Sequence, residues 1–223
     1  PVSLYAQAKI GSEQALRDLA GPDFHPVILR FATVYGLSPR PRFDLVINLL
    51  TARAVREGEI TILGGQQWRP FVHVADVARA INLCLEAPLA LVKGQTFNVG
   101  SDEQNLTIAQ VGDLVQGLIP GTRLSRREQD ADQRDYHVSF ARIRRELGFL
   151  PAHAGAEGVR EIEGALRSGQ IADYRDKRYS NYQFLSDPSQ RSLIAARHIN
   201  DLYATPGPAV ISADQRSTEA RTA

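Results

Sequence analysis

Methionine is absent from these 223 residues, cysteine and tryptophan occur once each, and acidic and basic side chains nearly cancel to a formal charge of +1. A single cysteine, Cys84, excludes an internal disulfide, and its setting in Ala80-Ile81-Asn82-Leu83-Cys84-Leu85 suits a small buried hydrophobe better than a nucleophile. The near-zero charge lacks the basic excess that nucleic-acid and membrane-surface partners call for, so neither partner is expected. No apolar run approaches the roughly 18 residues that span a bilayer, and no charged-then-apolar signal opens the chain; the expected location is the cytoplasm. With no methionine and with proline at position 1, the sequence reads as one that a further segment precedes.

What is present starts with Pro1-Val2-Ser3-Leu4-Tyr5-Ala6-Gln7-Ala8-Lys9-Ile10-Gly11-Ser12. Tyr5 and Lys9 stand four apart among good helix formers, so a helix over residues 3–20 sets phenol and ammonium on one face, in line with Ser12, Leu16 and Leu19. Gly21-Pro22 stops that helix. A free tyrosine ionises near pH ~10, and bringing that to neutrality takes about 4 kcal/mol; a cation at about 4 Å in an effective dielectric of about 20 supplies a similar amount. Tyr-x-x-x-Lys also occurs in many ordinary helices, so spacing alone leaves a structural role open.

Residues 25–36, His-Pro-Val-Ile-Leu-Arg-Phe-Ala-Thr-Val-Tyr-Gly, form a near-continuous apolar run bounded by Pro and Gly, the pattern of a parallel strand buried on both faces. Residues 37–42 read as a loop, 43–57 as a helix ended by Gly58, and 60–63 as a short strand before the Gly64-Gly65 turn. That doublet lacks the further glycine and the following helix of a phosphate loop. Residues 69–74 lead into a helix over 76–86 with Asp76 as its expected N-cap, and His73 in this apolar stretch reads as structural. Thr96 to Gly100 is another strand, and Thr107-Ile108-Ala109-Gln110 is a capping box stapled by Leu106 and Val111. Further helices are expected to about 118, from Ser139 to Gly148, and over 157–168. Gly155-x-x-Gly158 has no third glycine and opens a helix, which removes it as a cofactor loop, and no histidine pair has metal-ligand spacing. Tyr174, Tyr179 and Tyr182 are expected to pack the C-terminal segment onto its lobe, and residues 204–223 read as a disordered tail.

In order, Tyr5-x-x-x-Lys9, Leu29-Arg30-Phe31-Ala32-Thr33-Val34-Tyr35-Gly36, Arg69-Pro70-Phe71-Val72-His73-Val74-Ala75-Asp76 and Phe97-Asn98-Val99-Gly100 resemble the extended short-chain dehydrogenase/reductase family, in its NAD-dependent sugar epimerase/dehydratase branch. The resemblance covers residues 2–169. It implies an α/β fold, the C-terminal part of a doubly wound, Rossmann-like parallel sheet binding NAD or NADP, with a smaller lobe closing over a nucleotide-diphosphate sugar. Residues 1–36 and 68–101 then belong to the cofactor domain, and 37–67 and 102–203 to the substrate lobe. Tyr5 matches the family's general base, and Lys9 the lysine that bonds the nicotinamide ribose and favours the phenolate. Phe31 and Ala32 match the strand end beside the nicotinamide. Thr33 falls where many epimerases carry a substrate-contacting asparagine. Arg69 and Arg134 match two arginines aimed at the nucleotide diphosphate, where a guanidinium fork bonds two oxygens in one plane; an ordinary surface ion pair is the other reading of each.

The family's Gly-rich pyrophosphate loop, the acidic residue that reads the adenine ribose and the Ser/Thr that assists the tyrosine all precede the tyrosine helix, and none occurs in these residues. The resemblance therefore implies the C-terminal part of an enzyme acting on a nucleotide sugar. Open alternatives are a non-catalytic remnant or nucleotide-sugar-binding module that needs a separate N-terminal chain, and a keto-sugar reductase of the same family. A homodimer through the Tyr5/Lys9 helix is a further expectation of the resemblance.

Overall fold

A computed structural model of the chain describes residues 3–128 and 135–188, which fall in two compact units, Pro1–Ser180 and Asn181–Ala223. In the first unit the order is α1 (Leu4–Asp18), β1 (Ile28–Phe31), β2 (Thr33–Tyr35), α2 (Val46–Glu57), β3 (Glu59–Leu63), β4 (Trp68–His73), α3 (Val74–Glu86), α4 (Leu89–Val92), β5 (Thr96–Val99), β6 (Asn105–Thr107), α5 (Ile108–Leu118), β7 (Arg123–Arg127), α6 (Ala141–Leu147) and α7 (Gly155–Arg167). In the second unit the described helix is α8 (Asn181–Ser186).

Three pairings are parallel, β1 with β5, β2 with β4 and β3 with β7, while β6 lies antiparallel on β4. Parallel neighbours require a crossover, and helices provide it, as the sequence pattern predicts. The run expected to be one strand divides at Ala32: Ile28 to Phe31 faces Thr96 to Val99, and Thr33 to Tyr35 faces Phe71 to His73. The same apolar stretch thus serves two sheets. The expected burial on both faces does not hold for β1, whose Arg30 and Phe31 are exposed. Among the described residues β1 has a strand neighbour on one edge alone, and Arg30 reaches out to Glu13 of α1 through two nitrogens at 2.7 and 2.6 Å.

Helix ends follow local chemistry, with two corrections. Gly58 takes the left-handed conformation (φ 68°) that closes α2. Thr107 and Gln110 make the reciprocal capping box at 3.2 and 2.8 Å. Asp76 does not cap α3; His73 does, its Nδ1 accepting the Ala75 N–H at 3.2 Å. Phe140 is the residue before α6, and Ser139 Oγ accepts the Ala141 N–H at 3.3 Å. α7 starts at Gly155, two residues earlier than its apolar periodicity suggests, where the Glu157 carboxylate accepts the Ala154 N–H at 3.3 Å.

The core forms in three clusters. One joins α2, β3, α5 and α7 around Tyr35 and Phe71; a second packs α3 and α6 against Val72, Phe97 and Val99; a third sets Phe43 and Tyr174 against α7. Cys84 is buried in the second cluster, in the hydrophobic role expected of it, and burial pushes its thiol pKa up. Tyr174 and Tyr179 meet Phe43 edge-on at centroid distances of 5.7 and 5.5 Å, whereas Tyr182 is exposed. The expected tail, 204–223, lies outside the described residues.

Candidate functional site

The first cluster is hollowed on one side by a cavity of about 450 Å³. α2 supplies Val46, Leu49, Leu50 and Arg53; β3 supplies Thr61, Ile62 and Leu63; Thr33, Gln67, Arg69, Ile108, Asp44, Leu45 and Tyr136 complete it. Successive turns of α2 bring Leu49 or Leu50 and Arg53 onto one face by i, i+4 and i, i+3 spacing. Strand alternation alone does not place Thr61, Ile62 and Leu63 there together; β3 stays in register with β7 through Leu63 and then enters the Gly64-Gly65 turn, where both glycines have positive φ.

Arg69 is buried, at 7% exposure, so its charge is shaped by protein rather than by water. Its guanidinium bonds the Trp68 carbonyl at 2.7 Å and lies 5.2 Å from the centroid of the Tyr136 ring. The Tyr136 segment is docked on β4 by the Asp135 carboxylate, which accepts the Trp68 N–H at 2.8 Å. A buried guanidinium beside an aromatic ring on a cavity wall has the chemistry to receive an anion. Arg134, the second expected guanidinium, lies outside the described residues.

The other predicted residues sort into two groups. Thr33 and Arg69 line the cavity together. Phe31 and Ala32 immediately precede Thr33, Ala32 being buried with its N–H on the Val99 carbonyl at 2.9 Å and Phe31 exposed. Tyr5 and Lys9 share a face of α1, with Lys9 Nζ 5.7 Å from the Tyr5 ring centroid, and neither lines the cavity. α1 itself buries no residue. It is tied to the strands by Glu13 on Arg30 and by Arg17 on Thr96 Oγ1 at 3.1 Å. The hydrogen bond from Arg30 holds the Glu13 carboxyl below its ordinary value.

A cofactor with a nicotinamide end fits part of this arrangement: Tyr5 and Phe31 are exposed, at 72% and 43%, and Lys9 offers donors beside the phenol. No residue here takes the place of the Gly-rich pyrophosphate loop.

A polar node forms where β4 runs into α3. His73 Nε2 is 2.9 Å from Glu161 Oε2, and its ring stacks on His153 at 4.6 Å. Asp76, fully buried, accepts the N–H groups of Ala152 and His153 at 2.9 Å each and Arg79 at 2.6 Å, and His153 Nδ1 lies 3.2 Å away. Burial pushes its carboxyl pKa up, but these donors outweigh that and the net shift is downward. Tyr35 donates to Gln104 at 2.7 Å, and burial drives its pKa strongly upward, so it is a neutral structural phenol. Among the described residues no group of three His, Cys, Asp or Glu could hold a metal ion. No helix among them is long and apolar enough to cross a membrane.

Sequence reasoning missed Arg53 and Tyr136. Arg53 carries the signal of helical spacing from Leu49, and Tyr136 sits two residues beyond Arg134, but only the cavity shows that they border one space.

Parallel strands joined by helical crossovers define an α/β protein of the Rossmann-like class. Residues 1–100 match the model of the NAD dependent epimerase/dehydratase family. The chain is 32% identical over 120 residues to the uncharacterized UDP-glucose epimerase YtcB of Bacillus subtilis, covering 53% of this chain and 36% of that protein. It is 28% identical over 178 residues to the dTDP-glucose 4,6-dehydratase of an Actinoplanes species, covering 76% of this chain and 53% of that one. Among solved structures, UDP-glucose 4-epimerase of Thermotoga maritima with UDP-glucose superposes with a TM-score of 0.64 at 26% identity, over 76% of this chain and 55% of that chain. The chain thus spans about half the length, or less, of the relatives it matches.

Proposed function

We propose that these residues form the substrate half and the proton-transfer pair of an NAD(P)-dependent epimerase or dehydratase acting on a nucleotide-diphosphate sugar. The observation that carries this reading is the cavity with Thr33 and buried Arg69 on its wall, continuous in sequence with Phe31 and Ala32 at the end of β1. The matched relatives named for UDP- and dTDP-sugars support it.

In this reading Arg69 binds the diphosphate, with Arg134 as its partner, and Thr33 contacts the sugar side. Tyr5 takes the proton from a sugar hydroxyl, and Lys9 places a positive charge beside the developing phenolate and donates to the nicotinamide ribose. NAD(P), when bound, supplies the hydride acceptor. Residues 1–36 and 68–101 act as cofactor-domain segments, and 37–67 with 102–203 as the substrate lobe, in a cytoplasmic enzyme. The exposed Leu4 and Leu16 of α1, with Leu19 just beyond its end, favour a homodimer through that helix, which light scattering at micromolar concentration would read as twice the protomer mass.

The test is conversion of UDP- and dTDP-glucose at saturating NAD(P). Tyr5→Phe is expected to lower kcat by about a hundredfold or more while leaving KM within about threefold, the signature of a lost general base. Turnover that survives Tyr5→Phe removes the phenol from the mechanism.

A further inference from the structure

This inference rests on reading the cavity as the nucleotide-sugar site. Three charged side chains line that cavity. Asp44 is engaged by Arg42 at 2.9 and 2.8 Å, and Arg69 has the Trp68 carbonyl and the Tyr136 ring. Arg53, partly buried on α2, has no hydrogen bond, ion pair or ring contact among the described residues. A guanidinium drawn partly out of water among Leu49, Leu50, Ile62 and Leu63 loses hydration with no partner among the described residues in return. Neighbouring polar groups do not relieve it. Gln67 bonds the Gly65 N–H at 2.7 Å and the Leu63 carbonyl at 3.0 Å, and Thr61 Oγ1 is 3.0 Å from Ser125 Oγ.

The cavity therefore has two cationic stations of different character. Arg69 stands on β4 with a polar and aromatic surround, fit for an anion. Arg53 stands among aliphatic side chains, where a flat ring would be sandwiched by leucines and met at its edge by a planar group with five donors and no acceptor. We propose that Arg53 reads the carbonyl edge of the nucleobase, so that the site takes nucleotides whose base presents carbonyl oxygens, as uracil and thymine do, over adenine, which has none.

The experiment titrates UDP, dTDP, ADP and inorganic pyrophosphate against the full chain, following emission of Trp68, the sole tryptophan and the neighbour of Arg69. The wild type is expected to bind UDP and dTDP at least about tenfold tighter than ADP, in line with a charge-assisted hydrogen bond. Arg53→Leu keeps the apolar stem and should weaken UDP and dTDP about tenfold or more, leave pyrophosphate within twofold and bring the UDP and ADP affinities together. Arg53→Lys, which keeps the charge and loses the planar fork, should lose the same selectivity. Arg69→Leu should weaken UDP and pyrophosphate alike. Unchanged UDP binding in Arg53→Leu, or a loss for pyrophosphate equal to that for UDP, overturns the base-reading role while the nucleotide reading of the cavity stands. A wild type that binds neither UDP nor dTDP overturns that reading itself, and this inference with it.

Discussion

Asp76 shows how one residue's role is set by chain far away in sequence. Its first-turn position on α3 suggests a cap, but its carboxylate points at the backbone of Ala152 and His153, some 76 residues later, and satisfies two N–H groups that would otherwise be buried without partners. Asp76→Asn removes the charge and leaves Arg79 and both N–H groups with a weaker acceptor, so it is expected to destabilise by about 2–4 kcal/mol at pH 7. The folded carboxyl titrates below its unfolded value. Its contribution is therefore full above the unfolded pKa of about 3.9 and is lost as pH falls through the lower, folded pKa. Urea midpoints for wild type and variant should differ at pH 7 and draw together as the pH falls below about 3.9; equal midpoints at pH 7 would contradict the role. Nothing local in Val74-Ala75-Asp76-Val77 announces this partner, and the cap fell instead to His73, whose structural part the apolar setting did make legible. Thr33 and Arg69 each lie in an ordered motif, and both stand on the cavity wall, whereas Tyr5 and Lys9 lie away from it on α1. Arg53 was not legible, since a lone arginine in an amphipathic helix looks like any solvated one until the walls around it are known.

At the scale of elements, α7 is a helix whose two interior glycines have opposite meanings. A Cβ on Gly158 would lie 2.5 Å from Cδ2 of Tyr35, whose ring is fully buried and pinned through its hydroxyl to Gln104. A Cβ on Gly164 would meet nothing within 4 Å. Alanine gains up to about 1 kcal/mol over glycine inside a helix, so Gly164→Ala should raise stability by about that much. At Gly158 the same gain is offset by overpacking of about 1–3 kcal/mol against a ring that has no room to withdraw, and Gly158→Ala should lower the melting temperature. Thermal unfolding of the two variants decides it; a stabilised Gly158→Ala would mean that α7 can move off β2. Sequence periodicity made α7 and its stop visible, since buried Val159, Ile162, Ala165 and Leu166 repeat at helical spacing. Division of the run at Ala32 was hidden: a continuous apolar stretch says that strand is present but not that its two ends pair with different sheets.

For the molecule as a whole, the cavity gathers wall residues from several elements. Its walls come from α2, β3, β4 and the start of α5, together with Thr33 of β2, so a ligand held there bridges two separate sheets, β2-β4-β6 and β3-β7. Tyr5, Lys9 and Phe31 differ in this respect. They sit on an exposed face of α1 and at the exposed end of β1, and contact with them ties down little else. A ligand that binds only the folded state stabilises it by about 2.7 kcal/mol at a hundred times its dissociation constant, which in a unit of this size corresponds to about 5–10 °C. UDP at that saturation is expected to raise the melting temperature of the 223-residue chain by such an amount. NAD at the same concentration is expected to raise it by less than about 2 °C, because in the proposed reading the residues present meet only its nicotinamide end. Differential scanning calorimetry with each ligand separates the outcomes. An absent UDP shift means that the cavity does not hold the nucleotide, and an NAD shift as large as that of UDP means that the cofactor is gripped by more of this chain than Tyr5, Lys9, Phe31 and Ala32.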